Sequence, residues 1–183
     1  RRSIGFEKEM NMAMDEWIKE AVDSFVAEEG DWLCCSLKKV KFVSDNRQAT
    51  ALYGFEWLIQ TAYSHWLLHQ RDVTDIKIGL KSNNGKKYDL DFQVSNQRLI
   101  IEIKTIAPGG ISYVKSDVNK VFPSNCTPYF LVFSYPHDSE DIPRLDGTTA
   151  IGSGVAPQGF RYYLYKKSEQ AAPPDRVPAA CSR

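Results

Sequence analysis

The chain has 183 residues, of which 43% are hydrophobic and 25% are charged, a composition that suits one globular domain with a short appendage. Lysine plus arginine and aspartate plus glutamate number 23 each, so the formal net charge is zero. A protein that binds DNA through its overall charge normally has a basic excess. The zero net charge therefore argues against that class of binder, and leaves a local basic patch or a bound metal ion as the means of holding an anionic partner.

No run of eighteen apolar residues occurs, so we predict no membrane span. The four cysteines form no CxxC pair and do not alternate with histidine at the spacing of a zinc site, so we expect a reducing, cytoplasmic compartment. The chain opens with Arg1 and Arg2, without an initiator methionine or a signal peptide. This start predicts a fragment or the end of a larger protein, and a delivered toxin domain stays open as an alternative.

The first part of the chain has the periodicity of helices. Apolar residues recur at three- and four-residue steps over residues 6–28, which predicts an amphipathic helix that ends near Gly30. Asp31 would then be the N-cap of a second, shorter helix over residues 31–43. We expect residues 1–47 to form a helical extension, and the amphipathic first helix predicts a homodimer or a protein partner.

A longer helix is predicted over residues 48–70, where an apolar stripe repeats at helical spacing. Glu56 lies one turn after Leu52, at the edge of this stripe, so we expect its carboxylate at the margin of a sheet and not in open solvent. His65 and His69 are four residues apart and off the stripe. We interpret them as surface histidines, although their spacing is also that of a metal-binding pair.

A short segment with two acidic residues, residues 88–94, alternates in the manner of a strand. Successive side chains of a strand face opposite ways. Aspartate is a poor strand former, so two aspartates in one strand indicate a functional position. The alternation predicts that one face carries Tyr88, Leu90, Phe92 and Val94, and that the other carries Asp89 and Asp91.

The next strand, residues 98–105, follows a turn at residues 95–97 and is strongly apolar, which predicts a buried central strand. Glu102 and Lys104 share the face of the two aspartates. Charged residues commonly decorate exposed strands, but on a buried strand they need partners or a metal ion. Carboxylates and an ammonium group gathered on one side of a hairpin suit a hard divalent metal ion beside a phosphodiester.

The remaining segments complete an α/β pattern. A strand that returns through a helix to another strand predicts a mixed sheet with helices on both faces. The predicted elements are a strand at 75–80 with Ile76, Ile78 and Leu80 inward, a turn at 81–87, a helix at 112–122, a buried strand at 129–135, a loop at 136–159, a last, edge strand at 160–165, and a disordered tail at 168–183.

Asp89 precedes Glu102 by thirteen residues, Asp91 precedes it by eleven, and Lys104 follows it by two. On these residues the chain resembles the PD-(D/E)XK nuclease superfamily, in which an acid on one strand precedes Asp/Glu-x-Lys on the next. Tyr88 stands in the place of the proline. We favour Asp89 over Asp91 as the first acid, because the hairpin turn lies about midway between Asp89 and Glu102.

The resemblance is at the level of the motif and covers roughly residues 50–135. It implies a restriction endonuclease-like core, with the element order αβββαβ, in a domain that spans residues 48–167. The order of elements predicted from periodicity is the same.

The resemblance also implies a metal-dependent nuclease with Mg²⁺ as its cofactor and Mn²⁺ as a substitute. Mg²⁺ retains several waters, so few protein ligands suffice. The resemblance implies Asp89, Glu102, Lys104 and Glu56 as catalytic residues, and Asp89, Glu102, Asp91 and the carbonyl of Ile103 as metal ligands. Lys104 would orient the attacking water or neutralise the charge that develops on the phosphate.

We expect nucleic acid as the substrate, and a DNA endonuclease is the favoured reading. Basic side chains that could reach phosphates are Lys86, Lys87, Lys115 and Lys120. Two alternatives remain open: an RNase or tRNase toxin domain, and a catalytically inactive nuclease-like fold used for binding. Intact Asp89, Glu102 and Lys104 argue against the second alternative.

Overall fold

The computed structural model describes residues 3–39, 47–81, 87–106, 110–134, 142–156 and 160–168. These residues form a mixed α/β fold, as predicted from the sequence. Its elements are α1 (Ser3–Lys39), α2 (Arg47–Leu68), β1 (Val73–Lys81), β2 (Lys87–Val94), β3 (Gln97–Ile106), a 3₁₀ turn (Gly110–Val114), α3 (Lys115–Val118), β4 (Thr127–Ser134), β5 (Thr148–Val155) and β6 (Arg161–Lys167).

The six strands form one sheet in the order β1-β2-β3-β4-β6-β5. Strands β3 and β4 run parallel and every other neighbouring pair is antiparallel, so the predicted mixed sheet is confirmed. The parallel pair arises because the chain crosses over the sheet through the 3₁₀ turn and α3 before it enters β4. Strand β3 therefore lies between two strands and is buried along most of its length.

Apolar side chains cover both faces of the sheet. On the first face α1 and α2 pack against one large core, which includes Phe25, Tyr63, Ile101, Leu131 and Phe160. On the second face the 3₁₀ turn and α3 pack against a smaller core, which includes Val114, Val118, Phe130, Val132 and Tyr165. Each face thus holds a helical layer, and β3 contributes its side chains alternately to the two layers.

Helix α1 is one continuous helix, so the predicted end near Gly30 and the predicted cap at Asp31 are wrong. Gly30 is buried, and a Cβ built on it would lie 3.7 Å from Ala156 and 3.9 Å from the ring of Phe160. Gly30 therefore lies inside the helix where it packs on the sheet layer, and it does not mark a helix terminus. Residues 40–46 lie outside the described part of the chain.

The apolar face of α1 is buried against the chain's own sheet, through residues such as Ile18, Val22 and Phe25. Polar contacts also tie α1 to the sheet: Asp15 accepts a hydrogen bond from Tyr129 at 2.6 Å, and Asp23 accepts one from Tyr162. The predicted protein partner or homodimer stays a prediction.

Strand β5 was predicted as part of a loop, and this prediction is wrong. Its residues Gly152, Ser153 and Gly154 have weak strand propensity, which hides the strand in the sequence. A Cβ at Gly154 would lie 2.4 Å from the ring of Tyr162 on β6, so the glycine is needed for that ring to cross the strand. Strand β6, predicted as an edge, is consequently interior, between β4 and β5.

The helix predicted over residues 112–122 is shorter in the structure. Val114 and Val118, four residues apart, bury their side chains, as does Asp117 between them, whereas Tyr113 and Val121 are exposed. The helix therefore ends after the turn that holds its buried side chains. Phe122 lies beyond the helix, and its ring packs against that of Phe130.

Two inward positions also differ from the alternation predicted for the strands. Ile78 is 56% exposed, because β1 is an edge strand with left-handed backbone at Asp75 and Gly79. Tyr88 stacks on Phe122 and donates a hydrogen bond to the carbonyl of Val121 at 2.7 Å, which places it on the α3 side of the sheet. The turn signal at residues 84 and 85, the side chain of Leu80 and the tail from residue 169 onward lie outside the described residues.

No helix in the described segments is long and apolar enough to cross a membrane.

Candidate active site

Strands β2 and β3 separate beyond the pair Leu90 and Ile101, where the regular ladder ends. The carboxylate of Asp89 accepts a hydrogen bond at 2.7 Å from the backbone nitrogen of Ile103, a donor on β3. The backbone carbonyl of Asp89 accepts a second bond at 2.6 Å from Gln60 on α2. Asp89 is therefore fixed at the opening between two strands, and this separation explains why Tyr88 departs from simple alternation.

Glu102 lies on β3 across from Phe130 of the parallel neighbour β4 and has no exposed surface. Its Oε2 lies 2.6 Å from the ammonium nitrogen of Lys120, which follows α3. Its Oε1 is buried and has no hydrogen-bond partner among the described residues. A buried carboxylate oxygen without a partner is costly in free energy, so this oxygen marks a place where a ligand would be stabilising.

Lys104 projects from β3 toward two acidic side chains on different helices. Its ammonium nitrogen lies 2.9 Å from Oε1 of Glu56 on α2 and 3.7 Å from Oδ2 of Asp117 on α3. Glu56 also receives a backbone hydrogen bond from Thr105. The edge-of-stripe position predicted for Glu56 thus places it at the sheet, beside the lysine.

Asp117 joins the two lysines, and sequence reasoning missed it. Its Oδ1 lies 2.6 Å from the ammonium of Lys120, and its Oδ2 faces Lys104. The signal was available in the sequence, because Asp117 follows Val114 by three residues and so shares the buried side of a helical turn. A buried aspartate on an apolar helical face calls for a cationic partner.

The pKa values of Glu102, Asp89 and Glu56 are all raised. Burial raises the pKa of Glu102 to about 8; the charge of Asp89 adds to this rise, and Lys120 opposes it. Burial likewise raises the pKa of Asp89 and of Glu56, and the positive charge of Lys104 opposes both shifts. Glu102, Asp89 and Glu56 thus bind protons more tightly than in water.

The two lysines stay charged in spite of their burial. Burial lowers the pKa of Lys104, but the nearby charges of Glu56 and Asp117 outweigh it, so the pKa lies above its usual value. For Lys120, burial is similarly outweighed by its bonds to Asp117 and Glu102. Four carboxyl groups therefore face two ammonium groups. The fully ionised cluster carries two excess negative charges, which is the charge that one divalent cation would balance.

Asp91, predicted as an additional metal ligand, binds other side chains. Its two carboxylate oxygens accept hydrogen bonds from Arg98 at 2.9 and 2.5 Å, and Arg98 also donates to Asn125 at 3.3 Å. The structure thus places Asp91 toward the hairpin turn, in a bidentate ion pair, and does not bring it to Glu102. At Ile103 the described contact uses the backbone amide, and a role for its carbonyl stays a prediction.

The predicted phosphate-binding lysines are dispersed. Lys120 is turned inward to the acidic cluster, while Lys115 is largely exposed and lies 3.8 Å from Asp146. Lys87 is exposed, and Lys86 lies outside the described residues. The exposed rings of His65 and His69 lie 4.9 Å apart on α2. Among the described residues, no group of three histidine, cysteine, aspartate or glutamate side chains is placed so that it could hold a metal ion.

No family model, curated protein or solved structure matches this chain. The cluster of Asp89, Glu102, Lys104, Glu56, Asp117 and Lys120 is therefore assigned from its geometry and charge.

Proposed function

We propose that the protein is a metal-dependent phosphodiesterase that hydrolyses nucleic acid, with DNA as the favoured substrate and endonucleolytic cleavage as the favoured mode. The fold would be a restriction endonuclease-like core of the PD-(D/E)XK superfamily, with α2, β1 to β4 and α3 as its shared elements. One observation carries the proposal. The three residues of the predicted motif, Asp89, Glu102 and Lys104, lie together at one opening of the sheet. There the carboxylate of Asp89 accepts a hydrogen bond from β3, one residue from Glu102.

The chemistry of the donor groups fits a hard divalent cation. Carboxylate oxygens are the ligands that Mg²⁺ prefers, and Oε1 of Glu102 is buried without a partner among the described residues. With all four carboxyl groups ionised, the excess negative charge of the cluster would favour the same ion. Asp89 and Glu102 would hold it, and when bound it would lower the pKa of a water and draw charge from the phosphate.

The chain's own residues would act around the scissile phosphate in distinct ways. Lys104, held charged by Glu56 at 2.9 Å, would stabilise negative charge on a phosphate oxygen or orient a water. Glu56 would position Lys104 without contact to the substrate. Exposed lysines such as Lys87 and Lys115 would contact phosphates singly, since the net charge of the chain is zero.

The decisive experiment is a cleavage assay with plasmid DNA, single-stranded DNA and tRNA side by side, with Mg²⁺ or with EDTA. Wild type, Glu102→Gln and Asp91→Asn are compared; Asp91→Asn is the matched control because it removes a buried carboxylate of the same hairpin outside the cluster. The proposal expects Mg²⁺-dependent cleavage that Glu102→Gln abolishes and Asp91→Asn largely keeps. Cleavage of tRNA alone would favour an RNase. Binding without cleavage of any substrate would overturn the enzymatic proposal in favour of a binding module.

A further inference from the structure

The ammonium group of Lys120 has a setting that resembles that of a bound cation. It lies 2.6 Å from Oε2 of Glu102 and 2.6 Å from Oδ1 of Asp117, and it donates to the backbone carbonyl of Lys87 at 3.4 Å. Only 19% of the lysine side chain is exposed. Three oxygen atoms from three elements of the fold therefore surround one positive charge, at the carboxylate that the proposed metal needs.

An inward ammonium does not match the role predicted for Lys120 from the sequence. A lysine that contacts phosphates from the surface would keep its charged end in solvent. Here the side chain of Lys120 runs inward, and its ammonium group pairs with the fully buried Glu102. The lysine therefore acts first on the acidic cluster.

We propose that Lys120 is a built-in counter-cation of Glu102, which a divalent metal ion displaces from that carboxylate when it binds. The inference rests on the proposed function, since it concerns the same metal. Asp117 is the positioning residue of this exchange. It precedes the lysine by three residues and already holds the ammonium, so the lysine keeps one partner when it loses Glu102.

Repulsion between the two cations is the physical reason for the displacement. A divalent ion and an ammonium on one carboxylate repel each other twice as strongly as two unit charges at the same distance. The buried setting of Glu102 weakens screening of that repulsion by solvent. Retention by Asp117 would leave the ammonium beside Lys104, since Asp117 faces both lysines, where both charges could meet a substrate phosphate.

Removal of Lys120 has a predictable sign. Loss of the ammonium favours both a proton and a metal ion on Glu102, but the divalent ion gains about twice as much as the proton, because its charge is double. Metal affinity should therefore rise even though protonation also becomes more favourable.

The test is calorimetric titration with Mg²⁺ and with Ca²⁺, without nucleic acid, at one fixed pH for every variant. Lys120→Met removes the charge, and Lys120→Gln removes the charge while keeping a hydrogen-bond donor in case the methionine variant does not fold. Lys166→Met is the matched control: the Lys166 ammonium lies 3.0 Å from Asp15, and the side chain is 18% exposed, almost as in Lys120. Circular dichroism checks that each variant is folded.

The inference expects Lys120→Met and Lys120→Gln to bind Mg²⁺ at least about tenfold more tightly than wild type, with Lys166→Met unchanged. Equal or weaker binding in the Lys120 variants would overturn it, even if wild type cleaves DNA. Tighter binding together with no cleavage of any substrate would support the counter-cation and refute the nuclease. Absence of binding in every variant would refute both.

Discussion

The carboxylate of Asp89 accepts a hydrogen bond at 2.7 Å from the backbone nitrogen of Ile103, just beyond the last regular pair of the β2–β3 ladder. A side chain thus takes the place of a backbone acceptor at the point where the strands part. The bond holds the carboxylate of Asp89 against β3, at the residue that follows Glu102. It also distinguishes the two aspartates of β2, because Asp91 is turned to Arg98 instead.

The first prediction concerns these two aspartates. Asp89→Asn should lower Mg²⁺-dependent cleavage at least about a hundredfold and should weaken metal binding as strongly as Glu102→Gln, because each removes a charged oxygen ligand. Asp91→Asn should instead destabilise the fold by about 2 kcal/mol through the loss of its bonds to Arg98, with metal affinity unchanged. Calorimetry and thermal unfolding of both variants check this. Loss of metal binding in Asp91→Asn with retention in Asp89→Asn would show that the wrong aspartate has been assigned.

The second prediction concerns pH. The pKa of Glu102 is raised from 4.5 to about 8, so between these values the unfolded chain has released a proton that the folded chain keeps. Rising pH therefore withdraws stability from the metal-free protein across this window. Glu102→Gln mimics the neutral form. Its free energy of unfolding should therefore rise relative to that of wild type as pH rises, by a total on the order of 4 kcal/mol.

Urea unfolding of both proteins at a series of pH values measures this difference. Comparison with the variant cancels the pH dependence that comes from groups far from Glu102. A stability difference that stays constant from pH 4.5 to pH 8 would contradict the raised pKa of Glu102.

The third prediction separates the structural role of Lys104 from its proposed catalytic role. Lys104→Ala should destabilise the fold by about 1–3 kcal/mol, because it leaves Glu56 and Asp117 with one cation fewer. It should also lower cleavage at least about a hundredfold. Glu56→Gln alone should have an intermediate effect on cleavage, since the lysine remains but loses its anchor.

The double variant Lys104→Met with Glu56→Gln supplies the control. Both charges of the pair are gone, so much of the stability should return, while cleavage stays absent. Recovery of cleavage in the double variant would mean that Lys104 only neutralises Glu56.

Much of the candidate site could be predicted from the sequence, because strand alternation places Glu102 and Lys104 on one face of an apolar strand and helical spacing places Glu56 at the sheet margin. Asp117 was missed although its spacing from Val114 carried a signal. The inward turn of Lys120 could not be predicted, because it depends on where a short helix ends, and that end is set by the packing of Val114, Asp117 and Val118. Periodicity describes one element at a time, and the acidic cluster joins side chains from four elements.

The fold departs from the prediction mainly at glycines. Gly30 was expected to end a helix and Gly154 was expected in a loop, since glycine is common in both settings. Each instead lies within a regular element, against an aromatic ring of the packed layer: Phe160 beside Gly30 and Tyr162 beside Gly154. Sequence patterns do not distinguish a glycine at a turn from one inside a packed element.

The last prediction uses the space around these two glycines. At Gly30 an added Cβ would meet its nearest neighbours at 3.7 to 3.9 Å, which is ordinary van der Waals contact, so Gly30→Ala should stabilise the fold by about 0.5–1 kcal/mol through its helix propensity. At Gly154 the Cβ would lie 2.4 Å from the ring of Tyr162, so Gly154→Ala should destabilise it by about 1–3 kcal/mol. Thermal and urea unfolding measure both changes. A loss of stability in Gly30→Ala would mean that α1 is broken at residue 30, as the sequence pattern suggested.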